Sequence, residues 1–110
     1  MGLTRITPPH SRRVFTTASA PGHVNLTGEG SFYQPLAPGY HRVTVIATAA
    51  GAAHIAASKS AKGRYITQNF DGNTAATVEV TVPPGAVHYL NVWMDRTGSV
   101  RVLMEHLAAP

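Results

Sequence analysis

Alternation of apolar and polar residues is the clearest pattern in this chain. In residues 76–82 apolar side chains occupy every second position, with Thr or Glu between them. A period of two is that of a β-strand with one buried and one solvent-facing side. Residues 40–48 and 99–106 alternate in the same way, whereas residues 87–94 are apolar on both faces apart from two positions. The last stretch therefore predicts a central strand that is covered on both sides.

Turn residues divide the rest of the chain into short pieces. Gly, Pro and Asn supply the backbone angles of turns, and they recur at residues 21–22, 28–30, 38–39, 51, 62–63, 71–73, 83–85 and 97–98. Weaker strands are predicted between them, at residues 14–18, 23–27, 31–34 and 64–70. About eight strands at this spacing predict an all-β fold, a single small antiparallel β-sandwich of the jelly-roll or Ig-like kind.

Residues 52–62 have two interpretations. They are rich in Ala, they end in Lys59 and Lys62, and Gly63 follows where a helix cap would lie. A helix of about 11 residues needs an apolar face, and this one has only Ile55 and alanines. We therefore prefer a strand, paired with residues 40–49 across a turn at residues 50–51.

The first 20 residues differ from the others. They contain Pro8, Pro9 and three arginines, no acidic residue, and little alternation. We expect residues 1–20 to form an extended basic arm in front of a β-sandwich domain that spans residues 21–110. Such an arm attaches to neighbouring subunits by adding backbone hydrogen bonds and burying apolar side chains. The expected contact residues are Leu3, Arg5, Ile6, Arg12, Arg13, Val14 and Phe15.

Charge is scarce and unevenly distributed. Charged residues make up 13% of the chain, against about 25% in ordinary domains. Residues 1–70 carry seven basic groups and one acid, and residues 71–110 carry two basic groups and four acids, so the segments have net charges of +6 and −2. A surface with so few ions favours coverage by partners. The asymmetry fits either nucleic-acid binding or packing in which basic segments meet the acidic edges of a neighbouring copy.

Residues suited to catalysis or metal binding are few. The chain has no Cys, which excludes disulfides, thiolate metal sites and a Cys nucleophile. The six His residues show no ligand spacing, although a fold could bring His41, His54 and His88 together. There are five carboxylates, and no nucleophile elbow or phosphate-binding loop is present. We expect a protein that is not an enzyme, with no catalytic residues, cofactor or metal.

Exposed aromatic rings would indicate a carbohydrate-binding surface. Tyr89 and Trp93 fall on the same side of the predicted strand at residues 87–94, and Tyr65 could join them. The sequence favours a core position for Trp93, because Trp usually dominates burial in a small sandwich.

The N-terminus suggests export only in part. The segment Ser-Arg-Arg-Val-Phe at residues 11–15 resembles the core of a twin-arginine signal, but the apolar stretch that such a signal requires is missing. No apolar run reaches the about 20 residues that span a bilayer. We expect no signal peptide and no membrane partner.

Two stretches resemble known modules. Residues 36–45 and 80–92 each read as a Pro-Gly turn, a Tyr and an alternating strand. This is similar to many β-sandwich accessory modules, including the C-terminal domains of secreted bacterial peptidases. The resemblance implies the fold and no function.

Together these observations predict a structural assembly protein. We expect a bacteriophage virion accessory protein, such as a capsid decoration, head fibre or tail component, assembled in the host cytoplasm. Its partners would be other structural proteins and further copies of itself, with a closed trimer as the natural oligomer. The alternatives are a carbohydrate-binding β-sandwich module and a small basic nucleic-acid-binding domain.

Overall fold

Every regular element in the described part of the chain is a β-strand. The computed structural model describes residues 11–19, 21–26, 33–60 and 62–107. The strands are β1 (Ser11–Ser19), β2 (Gly22–His23), β3 (Tyr33–Leu36), β4 (Gly39–Ala47), β5 (Gly51–Ala56), β6 (Arg64–Phe70), β7 (Ala75–Val82), β8 (His88–Met94) and β9 (Gly98–Leu107). Among these residues there is no helix with the length and apolarity needed to cross a membrane.

The strands form two antiparallel sheets. Sheet A has the order β1-β9-β4-β7, and sheet B has the order β2-β8-β5-β6, with β3 also paired to β8. The pairs are nested, since β1 pairs with β9, β2 and β3 with β8, β4 with β7, and β5 with β6. A long hairpin folded over into two sheets in this way is a jelly roll. The predicted antiparallel β-sandwich is confirmed, and its connectivity is the jelly roll rather than the Ig-like one.

The core lies between the sheets and is built from the alternating positions. In β4 the buried positions are 41, 43, 45 and 47, and in β7 they are 78, 80 and 82. Strand β9 buries Val100, Val102 and Met104 on the same side. The predicted alternation is confirmed, because every second side chain leaves water for the apolar space between the sheets.

Strand β8 is a central strand of sheet B, as its sequence predicted, but the expected cover on both sides was wrong, because the side of Trp93 forms the outer face of the sandwich. It pairs with β2 and β3 on one edge and with β5 on the other. Five of its seven residues are buried, and Trp93 is the exposed one. Of the other two outward positions, Tyr89 is half-buried and Asn91 is buried.

The ambiguous segment is a strand over Gly51–Ala56, but its expected partner was wrong. Strand β5 pairs with β6 and β8 in sheet B and not with β4. The chain changes sheets at residues 48–50, where Ala49 is buried and the Asp95 amide donates to the Ala50 carbonyl at 2.8 Å. Gly51 then packs so tightly against the Trp93 backbone that a Cβ would collide with it. This approach directs β5 into sheet B.

The second half of the expected arm is a strand of the sandwich. Residues 11–19 pair along their whole length with β9, from Ser11 opposite His106 to Ser19 opposite Gly98. Phe15 is 5% exposed and belongs to the core. The sandwich therefore includes β1, and the boundary expected at residue 20 lies beyond its first strand. Residues 1–10 lie outside the described residues.

Candidate interaction surfaces

The outer face of sheet A, called face A here, carries three rows of side chains. Each row crosses the strands in the order β1, β9, β4 and β7, as the pairing register sets it. The rows are Arg12, Glu105, Arg42 and Glu79; Val14, Leu103, Thr44 and Thr77; and Thr16, Arg101, Ile46 and Ala75.

The first row of face A alternates in charge. The Arg42 Nε donates to the Glu105 Oε1 at 3.0 Å, and the Arg12 Nη2 lies 3.4 Å from the Glu105 Oε2. At the other end of the row, the Tyr40 hydroxyl donates to the Glu79 Oε1 at 2.7 Å. This hydrogen bond raises the pKa of the Tyr40 hydroxyl above its ordinary value, because ionisation of Tyr40 would place a second negative charge beside Glu79.

Glu105 is the unexpected member of this row. Its position in β9 predicted a solvent-facing side chain, yet the residue is only 5% exposed. The two flanking arginines cover it, since long Arg side chains lay their apolar stems along the surface. The hydrogen bond and positive charge of Arg42, supported by Arg12, hold the pKa of Glu105 below its usual range. Glu105 in turn raises the pKa of Arg42, because it accepts a hydrogen bond from the guanidinium and its negative charge stabilises the protonated form.

The other two rows of face A expose aliphatic side chains. Val14 is 52% exposed and Ile46 is 45% exposed. Leu103 lies in register with Val14 and is half-buried. These three side chains and Thr44 line a shallow groove together with Arg101. Apolar atoms that stay in water beside an ordered charge row are typical of a contact surface.

Strand β1 divides the expected arm residues between its two sides. Arg12 and Val14 face outward on face A. Phe15 packs in the core, so this chain itself uses the side chain expected to anchor a neighbour. Arg13 is half-buried on the same inner side, with its guanidinium 5.3 Å from the centre of the Phe15 ring. Leu3, Arg5 and Ile6 lie outside the described residues.

The outer face of sheet B, called face B here, is aromatic and amide-rich. Its rows cross β6, β5, β8 and then β2 or β3. They are Asn69, Ala52, Trp93 and His23; Thr67, His54, Asn91 and Tyr33; and Arg64, Ala56, Tyr89 and Pro35. The core position favoured for Trp93 was wrong, because Trp93 is 39% exposed on this face. Odd-numbered residues of β8 point away from the sandwich interior, where Trp93 is exposed, Tyr89 is half-buried and Asn91 is buried by its neighbours.

Asn91 lies at the centre of face B, between Tyr33 and His54. It is 0% exposed, and its Nδ2 donates to the Tyr89 carbonyl at 3.3 Å. Its Oδ1 is buried and has no hydrogen-bond partner among the described residues. A buried acceptor without a partner is costly, and a bound group would reach this amide only after a neighbouring side chain moves.

His54 borders Asn91 on the same face. The Nδ1 of its ring lies 3.1 Å from the Thr67 hydroxyl. Burial lowers the pKa of His54, and its electrostatic interactions with Arg64 and His23 lower it further. The ring is therefore held toward its neutral form, which can accept as well as donate a hydrogen bond.

Tyr65 does not join Tyr89 and Trp93 on face B. A bulge between Ile55 and Ala56 shifts the register of β5 and β6 at this point. The Tyr65 ring instead stacks on His88, with ring centres 4.5 Å apart and planes 9° apart. Tyr65 is 59% exposed at an edge strand. The three expected ligand-surface aromatics are thus split into a pair and a separate ring.

Comparison with known proteins assigns no relative to this fold. No family model, curated protein or solved structure matches the chain. The proposed function therefore rests on the chemistry of the two outer faces.

The histidines that a fold could have gathered stay apart. His41 stacks on His106 inside sheet A, with ring centres 4.2 Å apart, and its Nε2 lies 2.6 Å from the Ala37 carbonyl oxygen. Burial lowers the pKa of His41. His54 and His88 belong to sheet B, where one faces outward and the other faces inward. No three potential metal-binding side chains come together among the described residues.

The exposed basic groups are dispersed. Arg12 and Arg42 are bonded to Glu105, so much of their charge is neutralised. Lys59, Lys62 and Arg64 are exposed around the turn between β5 and β6. This is a smaller cluster than the five or more basic residues of an interaction tail.

Sequence reasoning missed the charge row and Tyr33, and it considered His54 only as a member of a histidine cluster. The four residues of the row come from distant strands, and only the pairing register places them side by side. Asn91 left a visible signal, because it interrupts an otherwise apolar stretch of β8.

Proposed function

We propose that this chain is a non-enzymatic structural protein of a larger assembly, and within that class a bacteriophage virion accessory protein. Capsid decoration, head fibre and tail component are the roles that we consider, with assembly in the host cytoplasm. The observation that carries the proposal is face A, a flat surface where Val14 and Ile46 stay exposed beside an ordered row of charges. Such a surface suits contact with other structural proteins.

The jelly roll supports the proposal at the level of analogy. Jelly rolls serve as viral capsid domains and as lectins, so the fold is compatible with assembly and with sugar binding. Among the described strands, β1 and β7 are the two edges of sheet A, and neither has a partner on its outer side. Edges of this kind accept an additional strand from a partner.

The proposal is tested in the organism or phage that encodes the chain. A tagged copy is expressed there, and its lysate is fractionated on a density gradient. We expect the tagged chain to sediment with large particles, and we expect Val14→Asp with Ile46→Asp to leave it at the top of the gradient. Both changes are at exposed positions and leave the buried core residues in place, so the thermal midpoint of unfolding should move little.

The matched control is Thr67→Asp with Asn69→Asp, two exposed positions on face B. That variant should still enter particles. If the native chain stays at the top of the gradient in its own source, the proposal is wrong. Truncation of residues 1–20 is unsuitable, because it would remove β1 and Phe15 from the sandwich.

Carbohydrate binding is the second candidate, and the exposure of Trp93 favours it. A sugar ring stacks on an exposed indole, and the half-buried Tyr89 on the same face offers a second ring. Trp93 is the sole tryptophan of the chain, so its fluorescence reports directly on face B. Titration with soluble oligosaccharides should then shift the emission.

Two variants decide whether such a signal means binding. Tyr89→Ala should weaken it, because Tyr89 shares the face with Trp93. Tyr65→Ala should leave it unchanged, because Tyr65 stacks on His88 away from Trp93. An emission that no oligosaccharide changes would remove this candidate.

A further inference from the structure

Face A has a charge order that complements itself. Its first row runs Arg12, Glu105, Arg42, Glu79 from one edge of sheet A to the other. A second copy turned over about an axis parallel to the strands, between β9 and β4, presents the same row in reverse. Arg12 then lies over Glu79 of the other copy, and Glu105 lies over its Arg42. All four positions meet a charge of opposite sign.

The geometry points to a second copy of this chain as the occupant of face A, packed face to face about a two-fold axis parallel to the strands. The inference rests on the proposed function only in using the same surface, and it adds the identity of the partner. A two-fold contact of this kind is isologous, so the same patch serves both copies.

The aliphatic groups of face A fit the same arrangement. The reversal places Val14 over Thr77 of the other copy, and Ile46 over Arg101, whose apolar stem can cover it. Exposed apolar surface of Val14 and Ile46 would therefore leave water on both sides of the axis. No position on face A meets a like charge in this packing.

Sheet twist is compatible with the charge contacts. Packed sheets cross at about 30°, and β1 and β7 are three strand spacings apart, about 14 Å. An edge position about 7 Å from the axis then moves by about 4 Å along the strand. The long side chains of Arg12 and Glu79 span that displacement.

The size of face A sets the expected strength. A four-stranded face three rows deep covers on the order of 400 Å², half of the about 800 Å² that each partner buries in a standard interface. We expect a weak dimer that forms at about 0.1 mM in solution and is strengthened by co-localisation in an assembly. This two-fold contact differs from the closed trimer that the sequence suggested, and the measured mass separates them.

Charge reversal at the two ends of the row tests the inference. Arg12→Glu places two carboxylates against each other at both ends of its own dimer, and Glu79→Arg does the same with two cations. In sedimentation equilibrium, each variant alone should have a dimer dissociation constant at least about tenfold higher than that of the native chain. An equimolar mixture of the two should associate again, because every end contact then joins opposite charges.

Mixing isolates the contact between copies from effects inside one chain. Each reversal disturbs neighbours within its own chain, Glu105 for Arg12 and Tyr40 for Glu79, and mixing cannot repair that disturbance. Arg64→Glu is the matched control, since Arg64 is an exposed arginine on face B. It should leave self-association unchanged.

The outcomes separate this inference from the proposed function. A native chain that stays monomeric up to about 1 mM, or a mixture that stays dissociated, overturns the dimer. If the face A variant with Asp at positions 14 and 46 still fails to enter particles in that case, the face binds a different protein and the proposed function survives. A dimer in vitro from a chain that never enters particles supports the inference and overturns the proposed function.

Discussion

The two outer faces of this sandwich are similar in extent and differ in chemistry. Each carries three rows of four side chains across four strand positions. Face A contains two acids and three arginines, whereas the strands of sheet B contain no Asp or Glu and one arginine, Arg64. Face B instead carries Trp93, two tyrosines, two histidines and amides. The low charge of the whole chain thus conceals one charged and one nearly uncharged face.

The chemistry of each face limits what it can recognise. Charges fixed in a row specify the orientation of a partner, because one register pairs opposite signs and others do not. Aromatic rings and amides contribute contact area and hydrogen bonds with less directional preference between molecules. We therefore propose protein contact for face A and a neutral ligand for face B. The following variants test the comparison.

The largest expected effect concerns whether β1 is a permanent part of face A. Phe15→Ala should lower the free energy of unfolding by about 3–5 kcal/mol, because it empties a site in the core. Val14→Ala, one residue away, should change it by less than about 0.5 kcal/mol, because Val14 is 52% exposed. Urea denaturation measures both. Equal and small effects would mean that β1 separates from the sandwich in solution, and face A would lose a quarter of its width.

The second effect concerns the charge row. Glu105→Gln should cost about 1–2 kcal/mol of unfolding free energy. The cost stays below the 3–5 kcal/mol of a fully buried pair, since Arg12 and Arg42 keep side-chain exposures of 62% and 41% and remain hydrated. Glu79→Gln is the matched control at the exposed end of the same row and should cost less than about 0.5 kcal/mol.

Acid should abolish the difference between Glu105→Gln and the native chain. The folded-state pKa of Glu105 lies below its ordinary value of 4.5. Its stabilising contribution is therefore complete above that value and is lost as the pH falls through the folded-state pKa. Denaturation at a series of pH values checks this, and a difference that persists in strong acid would contradict the role given to the ion pairs.

The third effect concerns Asn91, the buried polar residue of face B. Unlike Glu105 on face A, we expect it to contribute little to stability. Asn91→Leu should change the unfolding free energy by no more than about 1 kcal/mol, in either direction. The native Oδ1 has no described partner to lose, and Leu has a similar size. Asn69→Leu, at an exposed position of the same face, is the control. A loss above about 2 kcal/mol would mean that Asn91 holds the sheet together and is not available to a ligand.

The sequence predicted the strands better than the surfaces. Alternation predicted which side of β4, β7 and β9 faces the core, because period two is a local property. The partner of β5 could not be predicted, since it depends on the approach of Gly51 to the Trp93 backbone. Trp93 was expected in the core on its residue type alone, although its position on the same side as Asn91 favoured the outer face. The burial of Glu105 could not be predicted either, because it depends on the pairing register of β1, β9 and β4 together.

The smallest effect is a pH response that separates the two faces. Burial holds the folded-state pKa of His54 below its ordinary value of 6.5. Between the folded-state pKa and 6.5 the unfolded chain binds more protons, so stability falls as the pH drops through that window. His54→Gln should remove the part of this pH-dependent loss of stability that comes from His54. The part from His41 should remain, because burial lowers its pKa too. Face B thus responds to mild acid and face A only below about pH 4.5. Thermal unfolding of both chains from pH 7 to pH 5 measures the effect, and identical pH slopes would show that His54 is as hydrated in the folded chain as in the unfolded one.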